Sequence, residues 1–380
     1  MDAGFRVSED SRGRSAELRL AGRRLAVVGT ARMYVCGITP YDVTHLGHAA
    51  TFVWADVAAS VLRRAGVQVA MCRNLTDVDD VLTDAAGARG RAYDEFALHQ
   101  AYLFDRDMAA LGVHAPTFEP RARHHVTHVQ QLAAALLAAG QAYERGGHIY
   151  FRGASAVARA GLSRDRALAL AAEYGDQPDD PNRDDAFDVP VWRPSVDGQP
   201  AWPSPWGAGR PGWHAECAAM ALSVLGAGVD VLAGGADLTF PHHAYQAAMV
   251  EAATTVAPFA RRHLHVGAVH RDGAKMAKST GNLTLVADLL REYPAAAIRL
   301  LILDRPWSAP WTYQGGDLDR AAAALDELYA AAGRAGATST ATDAVTGALL
   351  DDLDVPRALA IARESGGEAA RHLLRVLSLT

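Results

Sequence analysis

The stretch from residue 31 to residue 75 constrains the fold most. "ARMYVCGITP" reads as a buried strand running into a Gly/Thr/Pro turn, and "HAATFVWADVAASVLRRAG" follows with apolar residues at helical spacing and a glycine stop at Gly66. "VQVAMCRNL" is then a second strand. Two such strands joined through a helix need a crossover connection, which sets them parallel in a sheet covered by helices. The alternation returns late in the chain. "GWHAECAAMALSVLGAG" reads as a helix, "VDVLAGGADLTF" as a strand and glycine turn, "HHAYQAAMVEAAT" as a helix and "RRHLHVGAV" as a strand.

Residues 94–185 have a different texture. Two helical stretches, "DEFALHQAYLFDRDMAAL" and "HHVTHVQQLAAALLAAG", lead to a short strand pair around "HIYFRG". The polar "EYGDQPDDPNRDD" then marks a loop or boundary. From 317 to 380 the chain is Ala/Leu-rich with helical period, interrupted by "GRAGATSTATD". The expected architecture is an α/β, doubly wound, Rossmann-type sheet in two halves, 33–93 and 186–258. An N-terminal extension (1–32) precedes it, an insertion (94–185) splits it, and a loop-bearing stem (259–316) and a C-terminal helical region (317–380) follow.

At 380 residues and 50% hydrophobic, the chain can bury a large core in two or three domains. A net charge of −6 argues against a generic nucleic-acid or membrane-surface binder, which would present a basic face. No run of 18 apolar residues occurs, the first residues are charged, and three cysteines (36, 72 and 217) make no disulfide framework. A cytoplasmic protein is expected.

Two lysines occur in the whole chain, Lys275 and Lys278, three apart in the glycine-flanked "RDGAKMAKSTGN"; every other basic residue is arginine. Two ammonium groups on such a loop suit the clamping of a leaving pyrophosphate. Near the other end, "THLGH" places His45 and His48 where the first strand hands over to its helix. Open α/β sheets bind ligands at that position, and a helix N-terminus there favours phosphate. Two imidazoles can donate to phosphate oxygens as charge develops. Alone, either pair reads as solvated surface. In this order, some 230 residues apart, they point to one nucleotide site.

Together the two motifs resemble the signature of class I aminoacyl-tRNA synthetases and their relatives. That resemblance implies a class I nucleotide-binding catalytic domain with an inserted connective subdomain and a C-terminal helical bundle. It also implies MgATP as substrate and His45, His48, Lys275 and Lys278 as the catalytic set. Cys36 in "YVCGIT", Cys217 in "GWHAEC" and His242 in "FPHH" offer two thiolates and an imidazole, a donor set for zinc with one position open. The plain alternative is two inert buried cysteines and a core histidine. These motifs resemble those of cysteine-activating enzymes, in which one zinc ion per chain binds the substrate thiolate. Choosing His242 over the adjacent His243 rests on that resemblance.

Two cysteine-activating families fit, cysteinyl-tRNA synthetase and the cysteine ligase of mycothiol biosynthesis. "MYVCGITPYDVTHLGHAATF", "NLTDVDD", "SPWGAGRPGWHAECAA" and "GGADLTFPHH" resemble the ligase, and Gln246 stands where the synthetase carries a zinc-binding glutamate. The roughly 100 residues after the lysine loop are also few for a bundle plus an anticodon-binding domain. The ligase resemblance implies L-cysteine, ATP and the amine of glucosaminyl-inositol as partners, with no nucleic acid and no membrane. It further implies contacts to a cysteinyl-adenylate from Cys36, Gly37, Ile38, Thr39, Thr51, Asn74, Leu75, Thr76, Trp213, Gly235, Ala236, Asp237 and Val269.

For some of these the residue itself supplies a reason. Asp237 after a glycine turn suits ribose hydroxyls, and threonines near Cys36 suit the amino-acid head. Leu75, Ala236 and Val269 would offer only backbone or packing, and Trp213 reads equally as core. The chain departs from the family pattern at Ala277 (usually serine), Ala244 (usually glutamate) and Tyr174 in "EYGDQP" (usually arginine). A paralogue serving another amine, a truncated cysteinyl-tRNA synthetase and an inactive cysteine- or nucleotide-binding paralogue are the alternatives.

Overall fold

The computed structural model describes residues 18–41, 43–276, 281–336 and 338–380. Its centre is a four-stranded parallel sheet. In chain order the core elements are β1 (Thr30–Ile38), α1 (Leu46–Arg64), β2 (Gln68–Leu75), α2 (Trp213–Leu225), β3 (Val229–Gly235), α3 (His242–Thr254) and β4 (Ala260–Val266). The spatial order is β4-β3-β1-β2, so β1 has a sequence neighbour on one side and a strand from the far half of the chain on the other. This is the expected α/β sheet, with its order reversing between β1 and β3, where such sheets take ligands.

Period-two alternation along β1 divides its side chains between two cores. Met33 and Val35 face α1 and the C-terminal helices, whereas Tyr34 and Cys36 face α2 and α3. Cys36 therefore points toward Cys217 because of its parity in the strand. Helix α1 starts at His45, whose ring accepts from the Gly47 amide, and ends on Arg63 and Arg64, cations that suit a helix C-terminus.

The segment between the sheet halves carries the expected helices, Tyr93–Ala110 and Val126–Ala138, and the hairpin Ala142–Arg145/His148–Phe151. That hairpin is half of a four-stranded antiparallel sheet completed by Val189–Pro194 and Gly209–Pro211. The sheet thus runs past residue 185, where the sequence reading set its boundary. The polar 173–185 segment is a loop inside this module, and only long-range pairing reveals that.

Two further differences are local. Leu18–Leu20 and Arg23–Leu25 form a hairpin with Leu18, Leu20 and Leu25 in the main core, docked by the Ala21 amide on Asp352 (2.7 Å). In "GRAGATSTATD" a helix already begins at Ser339, because the Thr338 side chain accepts from the Ala341 amide and caps it. No described helix is long and apolar enough to cross a membrane.

Candidate functional site

The carboxyl ends of β1, β3 and β4 open onto a cavity of about 330 Å³. The turn after β1 forms its floor. A Cβ on Gly37 would sit 1.7 Å from the Asn74 carbonyl oxygen, so only glycine allows β1 and β2 to approach this closely. The Thr39 and Thr76 hydroxyls hydrogen-bond at 2.8 Å across the same seam. Past the turn, His45 and His48 stack at 3.8 Å between ring centroids on the first turn of α1. Burial, then the nearby Lys275 charge, pull the His48 imidazole down to about 4, so it is neutral at physiological pH.

Opposite the histidines, Asp237 follows the glycine turn of β3 and accepts an ion-pair hydrogen bond from Lys275 Nζ at 2.7 Å. Burial alone would lower the Lys275 ammonium; Asp237, then Tyr174, outweigh it and hold it above its ordinary value. Lys275 reaches this point from a hairpin, Val269–Arg271 with Ala274–Lys275, which also pairs with Trp311–Thr312. Lys278 and Ala277 lie outside the described residues.

Cys36, Cys217 and His242 bring one sulfur or nitrogen each within 4.8 Å of one another, and all three are buried. This is the one such group among the described residues. Burial and then Cys217 push the Cys36 thiol well up. For Cys217, burial is outweighed by the hydrogen bond from Cys36 and the His242 charge, which hold it well below its ordinary value. The two directions favour a neutral Cys36 beside a Cys217 sulfur that ionises more readily. His242 stacks on Trp213 (4.2 Å) and is held by His214, Nδ1 to Nδ1 at 2.9 Å, leaving its Nε2 outside that contact. Glu216, buried beside Cys217, is pushed well up by burial and then Asp79, which favours its neutral form and adds no charge here.

Two soft sulfurs and an imidazole suit zinc. The Tyr34 hydroxyl is buried beside both cysteines and interacts electrostatically with Cys217 and Cys36, short of a hydrogen bond of full geometry among the described residues. It is a donor that two metal-bound thiolates would satisfy. The donor set and this hydroxyl fit the ion.

Of the residues singled out from sequence, Cys36 to Thr39, His45, His48 and Thr51 line the cavity from the first half of the sheet. Trp213, Gly235, Asp237, Val269 and Lys275 line it from the second half. Asn74, Leu75, Thr76, Ala236, Cys217 and His242 are not in its lining, although Cys217 and His242 meet Cys36 at its wall. Phe104 and Tyr174 also line it, both from the segment between the sheet halves. Tyr174 could have been suspected from its odd place in "EYGDQP". Phe104 carries no local signal, since a helical phenylalanine reads as core.

The family described as "tRNA synthetases class I (C) catalytic domain" matches residues 25–323. The L-cysteine:1D-myo-inositol 2-amino-2-deoxy-alpha-D-glucopyranoside ligase of Mycolicibacterium vanbaalenii is 44% identical over 371 residues, covering 92% of this chain and 85% of that protein. The ligase of the same name from Mycobacterium ulcerans is 42% identical, covering 92% and 88%. The chain belongs to this cysteine ligase family. The Mycobacterium tuberculosis methionyl-tRNA synthetase in complex with methionyl-adenylate superposes on the ligase with a TM-score of 0.63 at 16% identity, covering 93% of this chain and 89% of that one. The leucyl-tRNA synthetase (LeuRS) agnB2 of Agrobacterium radiobacter K84, in its ternary complex with tRNA and LeuAMS, gives 0.65 at 11%, covering 93% and 84%. These two show the fold alone, a class I synthetase catalytic fold, and the ligase is an enzyme built on it.

Proposed function

We propose that this ligase activates L-cysteine with MgATP and transfers it to the amine of glucosaminyl-inositol. In the first step a cysteine carboxylate oxygen attacks the α-phosphorus, the bond to the β-phosphate bridge breaks, and diphosphate leaves. In the second the amine nitrogen attacks the activated carbonyl carbon, AMP departs with the bonding pair, and the amine loses a proton as the amide forms.

His45 and neutral His48 would donate N–H groups to the phosphate oxygens, and Lys275 with Lys278 would offset charge on the departing diphosphate. Asp237, which pairs with Lys275 Nζ at 2.7 Å, would accept from the ribose hydroxyls. Thr39, Thr76 and Trp213 would hold the amino-acid head. Zinc held by Cys36, Cys217 and His242 would bind the substrate thiolate and supply discrimination against serine, which packing cannot provide for a one-atom difference. The cytoplasm, with its ATP and reduced thiols, is the compartment this chemistry requires.

One observation carries the reading: the Cys36–Cys217–His242 cluster meets the wall of the same cavity that holds His45, His48 and Lys275. The test is mass spectrometry of products after incubation with zinc, MgATP, cysteine and glucosaminyl-inositol. The cysteinyl amide with released AMP is expected; absence of cysteine-dependent diphosphate exchange by the metal-replete protein would refute the activation step.

A second reading, ligation to a different amine, is favoured by Tyr174, which lines the cavity where the family usually has arginine. Strong exchange with no amide on glucosaminyl-inositol would select it.

A further inference from the structure

The sequence assigned Asn74 to the adenylate, but both ends of its amide are already engaged by the protein. It is 1% exposed and does not line the cavity. Its Oδ1 accepts from the Gly37 amide at 3.0 Å, and its Nδ2 donates to Cys217 Sγ at 3.3 Å. The orientation of the amide is forced. The Gly37 N–H is a donor and needs the oxygen, so the NH₂ must face the sulfur. One side chain thus ties the residue after Cys36 to the sulfur of Cys217, 143 positions away from Asn74 in sequence.

We propose that Asn74 is a positioning residue for the metal-binding sulfurs, and not a contact to substrate. Resting on the zinc reading above, the inference assigns it two tasks. Its N–H, 3.3 Å from Cys217 Sγ, orients that buried sulfur and offers it a donor when it ligates the metal. Its Oδ1 fixes the backbone just after Cys36, so the spacing of the two sulfurs rests in part on this amide, alongside Gln246, whose Oε1 accepts from Cys36 Sγ at 3.7 Å and whose Nε2 donates to the Cys217 carbonyl at 3.3 Å. Groups of this kind around a metal orient the ligands and tune their basicity. The buried Tyr34 hydroxyl, on the same face of β1 as Cys36, lies beside the same sulfurs without a hydrogen bond of full geometry.

Asn74→Asp is the sharpest variant. It keeps the acceptor for Gly37 and replaces the N–H donor by a carboxylate oxygen facing the sulfur. Zinc affinity of the full-length protein, measured by chelator competition, should fall by about 10–100-fold. Asn74→Ala, which removes both contacts without placing a charge beside the sulfur, should also lose zinc affinity, and covers the case in which Asn74→Asp does not fold. In cobalt-substituted protein, loss of a sulfur-directed donor should move the thiolate-to-metal charge-transfer band to lower energy.

A residue that merely touched the adenylate would give another pattern. Zinc affinity and the cobalt band would match the parent within twofold while the KM for ATP or cysteine rose, and that outcome overturns the inference while leaving the zinc reading intact. A parent protein that binds no zinc would overturn both.

Discussion

His48 owes its protonation state to burial, and its contribution to stability depends on pH in a direction that follows. Its folded value, about 4, lies below the ordinary 6.5, so the unfolded chain binds the proton first as pH falls. The stability His48 contributes is present above pH 6.5 and is lost between 6.5 and 4. His265, also pulled to about 4, chiefly by burial, adds to the same trend. The gap between urea midpoints at pH 7.5 and pH 5.0 should therefore be narrower in His48→Gln than in the parent; an equal gap would refute the assignment. Lys275 makes a separate prediction. Replacing it with alanine removes one cation from the diphosphate end and should slow single-turnover adenylation by about 100-fold or more. Cysteine affinity should stay within threefold, because Lys275 and the cysteine cluster belong to different walls of the cavity.

One amide adds to the strand pairing that holds the lysine hairpin. Asn282 Nδ2 lies 3.0 Å from the Arg271 carbonyl oxygen, 3.3 Å from that of Ala274 and 3.2 Å from that of Lys275, and so closes the hairpin from beneath. Asn282→Ala should lower the adenylation rate while moving the thermal midpoint by no more than a few degrees, since the contact is half-buried and at an element edge. An unchanged rate would mean the hairpin is held by its own pairing. This is also the scale at which the sequence was most readable. The strand and helix periods around β1, α1, α2 and α3 are local, and so is the parity that sends Cys36 to the α2/α3 side. Elements that depend on distant partners were not readable. Nothing near Leu18–Leu25 announces a hairpin docked on Asp352, and nothing near Gly209 announces a fourth antiparallel strand. Asn74 shows the limit most clearly. Its motif "NLTD" marks it as part of the site, while its actual partners, a backbone amide and a sulfur, appear only when three distant segments meet.

Across the whole molecule, helix α1 is tied to the C-terminal region through Arg299, which is 1% exposed. Its guanidinium donates to Asp56 Oδ2 on α1 (3.0 Å), to the Leu111 carbonyl (3.1 Å) and to the Leu377 carbonyl (2.8 Å). Removing it as Arg299→Met would leave the buried Asp56 carboxylate with only His114 among the described residues, at 2.8 Å from its ring and 3.2 Å from its backbone N–H, a loss on the order of 3–5 kcal/mol. Denaturant titration reads this directly, and a loss below about 1 kcal/mol would show that water replaces the arginine. The strand order has another consequence, one that belongs to synthesis. β1 sits between β2 and β3, but β3 is translated some 190 residues later. At about 5–20 residues per second, one edge of the central strand waits roughly 10–40 s on the ribosome for its partner. The module inserted between the sheet halves lengthens that delay, so this edge of β1 stays without its partner strand for longer than it would in an uninterrupted sheet.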